Sequence, residues 1–298
     1  MNNENQCIFV SSRGILRSCD VHSLIPKSSV LNLANYSFDS LRDGCSIYVC
    51  GTALKHFLRI IPRIPCKFIL VSGDCDETIW NILSSSEYSL LINNENLIHW
   101  FSQNCGINGH SKLSIMPIGL DYHTISSNES HHWGTHKTPL EQESQLIELR
   151  QNMKPFYERQ VKAYSNFHFS LNNKYGAERK KAINEIPREL VFYEPVFLQR
   201  EESWKKQTNY AFIISPPGGG YDCHRTWEAL ILGCIPIIIA LPINDVFVDL
   251  PVLVVEEWKE VTQELLEKTI MEFKTKKFNY DKLLLSYWTN KIKNPPKK

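Results

Sequence analysis

The stretch 212–240, FIISPPGGGYDCHRTWEALILGCIPIIIA, holds the densest chemistry in the chain. An apolar run ends at Ser215, and Pro216 and Pro217 cannot continue a hydrogen-bonded ladder. Gly218, Gly219 and Gly220 then let backbone approach a ligand closely. Asp222 suits the N-cap of the next helix, which puts His224 and Arg225 in its first turn. A glycine-rich bend feeding a helix N-terminus favours an anion, because unpaired N–H groups and the helix dipole both attract negative charge. Arg225 adds a planar donor fork suited to a diphosphate. Glu228 follows His224 by four residues and Arg225 by three, so all three share a helix face. A carboxylate there can accept hydrogen bonds from both hydroxyls of a ribose. The plainer reading is an Arg225–Glu228 surface pair contributing roughly 0.3 kcal/mol. The bend is not a P-loop, since no Gly-Lys-Ser/Thr closes it, and no GxGxxG pattern occurs.

This segment resembles the donor-binding signature of exostosin-like glycosyltransferases. The shared features are the Pro-Gly loop, an Arg opening the helix, an acid one turn later, Gly233-Cys234-Ile235-Pro236, and Leu241-Pro242 after the apolar strand. The similarity is specific over 211–258 and looser in the first half, where it rests on WFSQN at 100–104 and PIGLD at 117–121. The resemblance implies an α/β chain of GT-B architecture, with two Rossmann-like lobes, a cleft between them and a C-terminal helix crossing back to the first lobe. The expected division is an acceptor-side lobe at 1–155, a donor-binding lobe at 156–279, and the crossing helix with its tail at 280–298. The implied chemistry is inverting transfer without a bound metal. Arg225 would neutralise the diphosphate leaving group and Glu228 would hold the ribose, with Gly218, Gly219, Gly220, His224 and Arg179 completing the donor set. The expected partners are a nucleotide sugar, taken as a UDP-sugar, and a glycan acceptor. The donor is a substrate, and no cofactor is expected. The membrane anchor and second transferase domain of the large animal members have no counterpart in this sequence, which favours a single-linkage enzyme over a polymerase. The alternative is a non-catalytic glycan- or nucleotide-binding relative, and a glycan phosphorylase is a third reading.

Inverting transfer needs a general base for the acceptor hydroxyl. Asp74 and Asp76 follow the run KFILVS, and Asp121 follows KLSIMPIG. Asp74 and Asp121 are the alternative candidates, and either could instead be a turn or cap residue. Asp74-Cys75-Asp76 also fits the Asp-x-Asp pattern with which other enzymes hold a divalent metal beneath a diphosphate. The glycine bend with Arg225 already supplies a metal-free donor site, so no metal is assigned. Arg13 follows the first apolar run and could touch acceptor or phosphate, or be solvated. Arg179 opens a helix near the donor pocket, and Lys174 is a weaker candidate there. His131, His132 and His136 lie in a polar loop with no Cys or carboxylate at ligand spacing, which argues against zinc. Cys223 borders the bend, but no His–Asp order supports a thiol nucleophile.

The elements that must position these residues are read from periodicity. Strands are expected at 6–11, 45–50, 67–72, 87–92, 112–117, 165–171, 210–214, 235–240 and 252–255. Helices are expected at 52–60, 77–84, 140–164, 177–185, 222–232, 262–273 and 280–292. A short element is expected within 97–105, and a loop rich in His, Ser and Asn over 121–139. Strands separated by helices predict largely parallel α/β sheets.

The 298 residues are 43% hydrophobic, enough for a substantial core. Thirty-three basic against 32 acidic residues give a net charge of +1, so nothing general points to nucleic acid or a membrane surface. Nine irregularly spaced cysteines, with a polar opening at 1–6, predict reduced and mostly buried thiols. No apolar run approaches the roughly 20 residues that span a bilayer, and a cytoplasmic location is expected.

Overall fold

The computed structural model describes residues 3–296. It is an α/β chain built on two parallel sheets, as expected from apolar runs too continuous to leave either strand face wet. The first sheet runs β1 (Cys45–Cys50), β2 (Phe68–Gly73), β3 (Leu97–Ser102), β4 (Leu113–Ile115), in that spatial order and all parallel. Every position of β1 and β2 is buried. A small antiparallel hairpin, β5 (Ser130–His131) with β6 (Gly134–Thr135), separates it from the second sheet. That sheet holds β7 (Gln160–Ser165), β8 (Val191–Tyr193), β9 (Tyr210–Ile214), β10 (Ile235–Ile239) and β11 (Leu253–Val255), ordered β11-β10-β9-β7-β8, all parallel.

Parallel neighbours require crossovers, and helices supply most of them. Before the sheet, α1 (Ser12–Ser18) starts at the Ser11 cap, whose side chain accepts from the Gly14 N–H. Within the first sheet, α2 (Leu54–Ile60) joins β1 to β2, and α3 (Ile79–Ile82) with α4 (Ser85–Ile92) joins β2 to β3. After β4 come α5 (His123–Ser126) and α6 (Pro139–Asn152), the latter opened by a Thr138–Glu141 capping box with proline in its first turn. In the second half, α7 (Gly176–Glu185) joins β7 to β8, α8 (Arg200–Gln207) joins β8 to β9, and α9 (His224–Ile231) joins β9 to β10. The chain finishes through α10 (Gln263–Thr275) and α11 (Leu285–Lys293).

Three buried clusters result. One covers a face of the first sheet around Ile47, Leu70 and Trp100, and another a face of the second around Phe212, Ile237 and Trp258. The third is shared: Val71 and Phe101 of the first sheet, Trp227 and Leu230 of α9, and Trp288 of α11 belong to one continuous core. The C-terminal segment closes onto the N-terminal one. Val10 N–H donates to the Leu283 carbonyl at 2.9 Å, and Leu285 N–H to the Ile8 carbonyl at 2.8 Å. All cysteines except Cys66 and Cys223 are buried. Among the described residues, no helix is long and apolar enough to cross a membrane.

Several local expectations are corrected. The run 87–92 is helical, because Ser84 and Glu87 form a reciprocal capping box that nucleates α4 over the strand-like pattern. The expected strand at 6–11 makes only isolated bridges, Phe9 to Leu284 and Ser11 to Gly119 and Leu120. The helix expected over 140–164 stops at Asn152, just before Pro155, whose ring disfavours helical backbone in the residue ahead of it. The strand expected at 165–171 therefore begins five residues earlier as β7, and Phe167–Phe169 is a 3-10 turn. The helix expected at 77–84 shrinks to α3, the loop 121–139 contains α5 and the hairpin, and β8 and α8 were not anticipated.

Candidate functional site

The bend between β9 and α9 is fixed at both ends. The Ser215 hydroxyl meets the Thr226 hydroxyl at 2.9 Å, and Gly218 N–H donates to the Gly220 carbonyl at 3.0 Å. At the far end of α9, Gly233 takes φ +65° with Gly233 N–H on the Leu230 carbonyl and Cys234 N–H on the Ala229 carbonyl. That is a Schellman stop, so the glycine of Gly-Cys-Ile-Pro ends the helix and turns the chain into β10. Gly218, Gly219 and Gly220 have no left-handed backbone; their need is space. A Cβ would come within 2.8 Å of Arg179 Nη2 at Gly218, 2.0 Å of Asp76 Oδ2 at Gly219 and 2.6 Å of Asn104 Nδ2 at Gly220. At Gly219 and Gly220 the bend thus packs on side chains of the first half of the chain, and at Gly218 on Arg179.

Asp222 does not cap α9. The N-cap is Cys223, and no side chain accepts from the first helical N–H groups. The Asp222 carboxylate instead accepts from Ile118 N–H at 2.7 Å and Trp227 Nε1–H at 2.9 Å, while its own N–H donates to Asn104 Oδ1 at 2.9 Å. Burial pushes Asp222 up to about 6, against the pull of those hydrogen bonds. It pins α9 to the first half of the molecule.

The other side of the bend faces a pocket of about 650 Å³. All seven residues expected to bind the donor line it: Arg179, Gly218, Gly219, Gly220, His224, Arg225 and Glu228. Arg225 Nε donates to Asn166 Oδ1 at 3.3 Å, its guanidinium lies 5.9 Å from the Phe167 ring centre, and its Nη1 is buried without a hydrogen-bond partner. Arg179 holds the bend from behind, with Nε donating to the Pro217 carbonyl at 2.9 Å and Nη1 to the Ser170 carbonyl at 2.8 Å. Burial, and then the Arg225 charge, push Arg179 down to about 10. Among the described residues, no carboxylate forms a salt bridge with Arg179 or Arg225. Glu228 is buried and pairs with Arg200 Nε at 3.4 Å, not with Arg225, and its carboxylate accepts no hydrogen bond within the described residues.

The candidates of the first half lie elsewhere. Asp74, with φ +55°, is buried against Arg13 Nε at 3.6 Å, accepts from the Ser28 hydroxyl at 2.8 Å, and does not line the pocket. Arg13 is buried in that pair, which removes its solvated reading and leaves it away from the pocket lining. Asp121 is buried too, accepting from Thr124 N–H and hydroxyl at 2.8 and 2.6 Å. Burial by itself would raise Asp121, but His123, His224 and Arg200 hold it well below the usual carboxylate range, which makes it a weak base. It also stands outside the pocket lining. Asp76 is exposed and does line the pocket beside Gly219. Lys174 is taken up by Glu77 at 2.7 Å. Among the described residues, no group of three or more His, Cys, Asp or Glu is placed to hold a metal ion.

The structure adds Arg200, Trp133, Trp204, Phe169 and Phe197, which the sequence did not single out, and gives His132 a place in the pocket wall. Arg200 of α8 stacks over Trp133 at 4.5 Å and Trp204 at 5.5 Å, and its Nη1 donates to the Asp121 carbonyl. His132, Phe169 and Phe197 form an aromatic rim, with centroids 5.2 Å apart for His132–Phe197 and 5.7 Å for Phe169–Phe197. A signal for α8 was present: Glu201 and Glu202 in the first turn and Lys205 and Lys206 in the last complement a helix dipole.

The arrangement can hold an elongated anionic ligand with an aromatic or sugar end. No known protein family and no curated relative matches the chain. The exostosin resemblance therefore rests on the residues quoted for it.

Proposed function

We propose that this chain is a metal-independent, inverting glycosyltransferase that moves one sugar from a nucleoside diphosphate sugar, taken as a UDP-sugar, to a glycan hydroxyl. The proposed architecture is GT-B, with the pocket as the donor end of the crevice between two Rossmann-like lobes. The observation that carries the reading is the pair Arg179 and Arg225. Among the described residues, two guanidinium groups border one pocket with no salt-bridged carboxylate, and Arg225 Nη1 has no hydrogen-bond partner. Guanidinium groups left so, beside uncapped helix N–H groups, are compensated by a bound anion.

In this reading the diphosphate lies across the bend 216–223 and Arg225. Charge develops on the departing diphosphate as the glycosidic bond breaks, and a fixed donor aimed at that charge lowers the barrier by about 3 kcal/mol. Glu228, whose carboxylate accepts no hydrogen bond from the described residues, is available to the ribose hydroxyls. The aromatic rim of Phe169 and Phe197 offers flat apolar faces to a base or sugar ring. The non-catalytic reading draws on the fact that neither Asp74 nor Asp121 lines the pocket.

A thermal-shift screen with UDP, GDP, TDP and their sugars tests the proposal. One nucleotide family raises the unfolding midpoint by mass action, and its sugar is transferred or hydrolysed. No shift with any of them contradicts the reading; a shift without turnover of any sugar selects the non-catalytic alternative.

A further inference from the structure

The proposed transfer lacks a base once Asp74 and Asp121 are seen outside the pocket. We infer that His224 takes the proton of the acceptor hydroxyl, through Nε2. This assignment rests on the glycosyl-transfer reading above.

The argument begins with the imidazole tautomer. His224 Nδ1 lies 2.7 Å from the Gly119 carbonyl oxygen. A carbonyl can only accept, so Nδ1 carries the hydrogen, and in the neutral ring the lone pair is on Nε2. The bond is held in place from the Gly119 side. Gly119 sits at φ +64° with its Cα packed so closely on Val10 that a Cβ would lie 2.4 Å from the Val10 carbonyl oxygen. Neither the glycine nor its carbonyl can shift without displacing that backbone. Nε2 makes no hydrogen bond to any described residue and is not among the buried unpartnered atoms. His224 lines the same pocket as Arg225, its neighbour in the first turn of α9. Base and leaving-group cation are thus set side by side on one rigid element.

Charged groups face the ring from several elements. Asp76, Asp121 and Asp222 are all close enough to interact with the His224 charge. Opposing them are Arg225 on its own helix and His123, whose ring centre is 6.4 Å away. In the transfer step, the acceptor oxygen forms its bond to the anomeric carbon as the bond from that carbon to the diphosphate oxygen breaks. The electron pair of the broken bond leaves on the diphosphate, opposite Arg225. The hydroxyl proton moves to Nε2 and is later lost to water. Asp76 is the carboxylate rival, since it also lines the pocket.

Two measurements on the full chain test the assignment. In histidine-labelled protein, nitrogen NMR of the signal that disappears in His224→Asn is expected to show Nδ1 protonated and Nε2 bare. A ring protonated on Nε2 alone overturns the assignment whether or not an activity is known. Second, UDP-glucose, UDP-N-acetylglucosamine, GDP-mannose and TDP-glucose are screened for turnover with His224→Asn, which keeps an amide N–H for Gly119, and with Asp76→Asn. The expected result is a loss of about 100-fold or more in His224→Asn and a loss under about tenfold in Asp76→Asn. Retained turnover in His224→Asn, or collapse only in Asp76→Asn, overturns the role given to His224 and leaves the transferase reading standing. A wild-type chain that binds none of these nucleotides removes the transferase reading itself, and the role with it.

Discussion

Two strand-to-helix bends meet beside the pocket, and they are built in opposite ways. The bend after β2 carries Asp74, whose charge is answered inside the protein by Arg13 and Ser28. The bend after β9 carries Arg225, whose Nη1 has no hydrogen-bond partner among the described residues, and Glu228 on the same helix is engaged by Arg200. Both look functional in sequence, as acid or base residues next to an apolar run. The difference is one of closure. A buried charge paired with an opposite charge stabilises or positions; a guanidinium on a pocket wall with no salt-bridged carboxylate is open to a charge from solution.

That contrast can be broken by substitution. Arg225→Ala should cost the largest factor, a loss of turnover of about 100- to 1000-fold, with the unfolding transition kept. Wild-type rates in that variant would remove the diphosphate from this bend. Asp74→Ala should do the reverse: about 3 kcal/mol of stability lost in urea titration, because Arg13 is left buried and unpaired, while turnover per folded molecule falls less than about tenfold. A full loss of turnover with stability intact would restore Asp74 as the base.

Gly219→Ala sharpens the comparison where the two bends touch. The new methyl meets Asp76 Oδ2 at 2.0 Å, the end of an exposed side chain that can turn aside, so the loss should stay below about 1 kcal/mol. Asp76→Ala in the same chain should recover most of it, measured as a double-mutant cycle; additive losses would show that the bends do not press on each other.

The smallest effect is a pH dependence at Asp222. Its folded value, about 6, lies above the ordinary 3.8. The folded state therefore keeps this proton where the unfolded chain has released it. The stability it contributes is present at the acid end and is lost as pH rises from 3.8 towards about 6. Urea midpoints of the wild type relative to Asp222→Asn should fall across that window and be flat above it; a rise would reverse the sign assigned to this carboxylate.

Much of the second half was legible in the sequence. Continuous apolar runs such as 210–214 and 235–239 have one good solution, a buried parallel strand, and the bend with its arginine and glycines follows directly between them. All seven predicted donor-side residues line one pocket because they cluster in 30 residues of local structure plus Arg179 of α7. The first half was less legible for two reasons. The capping box at Ser84 and the proline at 155 decide their elements through single side chains, against the hydrophobic period. The fate of Asp74 and Asp121 depends on Arg13, Ser28 and Arg200, which are distant in sequence and carry no spacing signal. Arg200 was missed with its helix, because α8 is mostly charged and shows little apolar period.

The central claim is that the bend 216–223 with Arg225 grips a diphosphate. Calorimetric titration of the wild type and Arg225→Ala with UDP, GDP and TDP is the most direct test. Saturable binding of one nucleotide to the wild type, weakened at least tenfold in the variant, is the expected result. Equal affinity in both, or no binding by either, contradicts it.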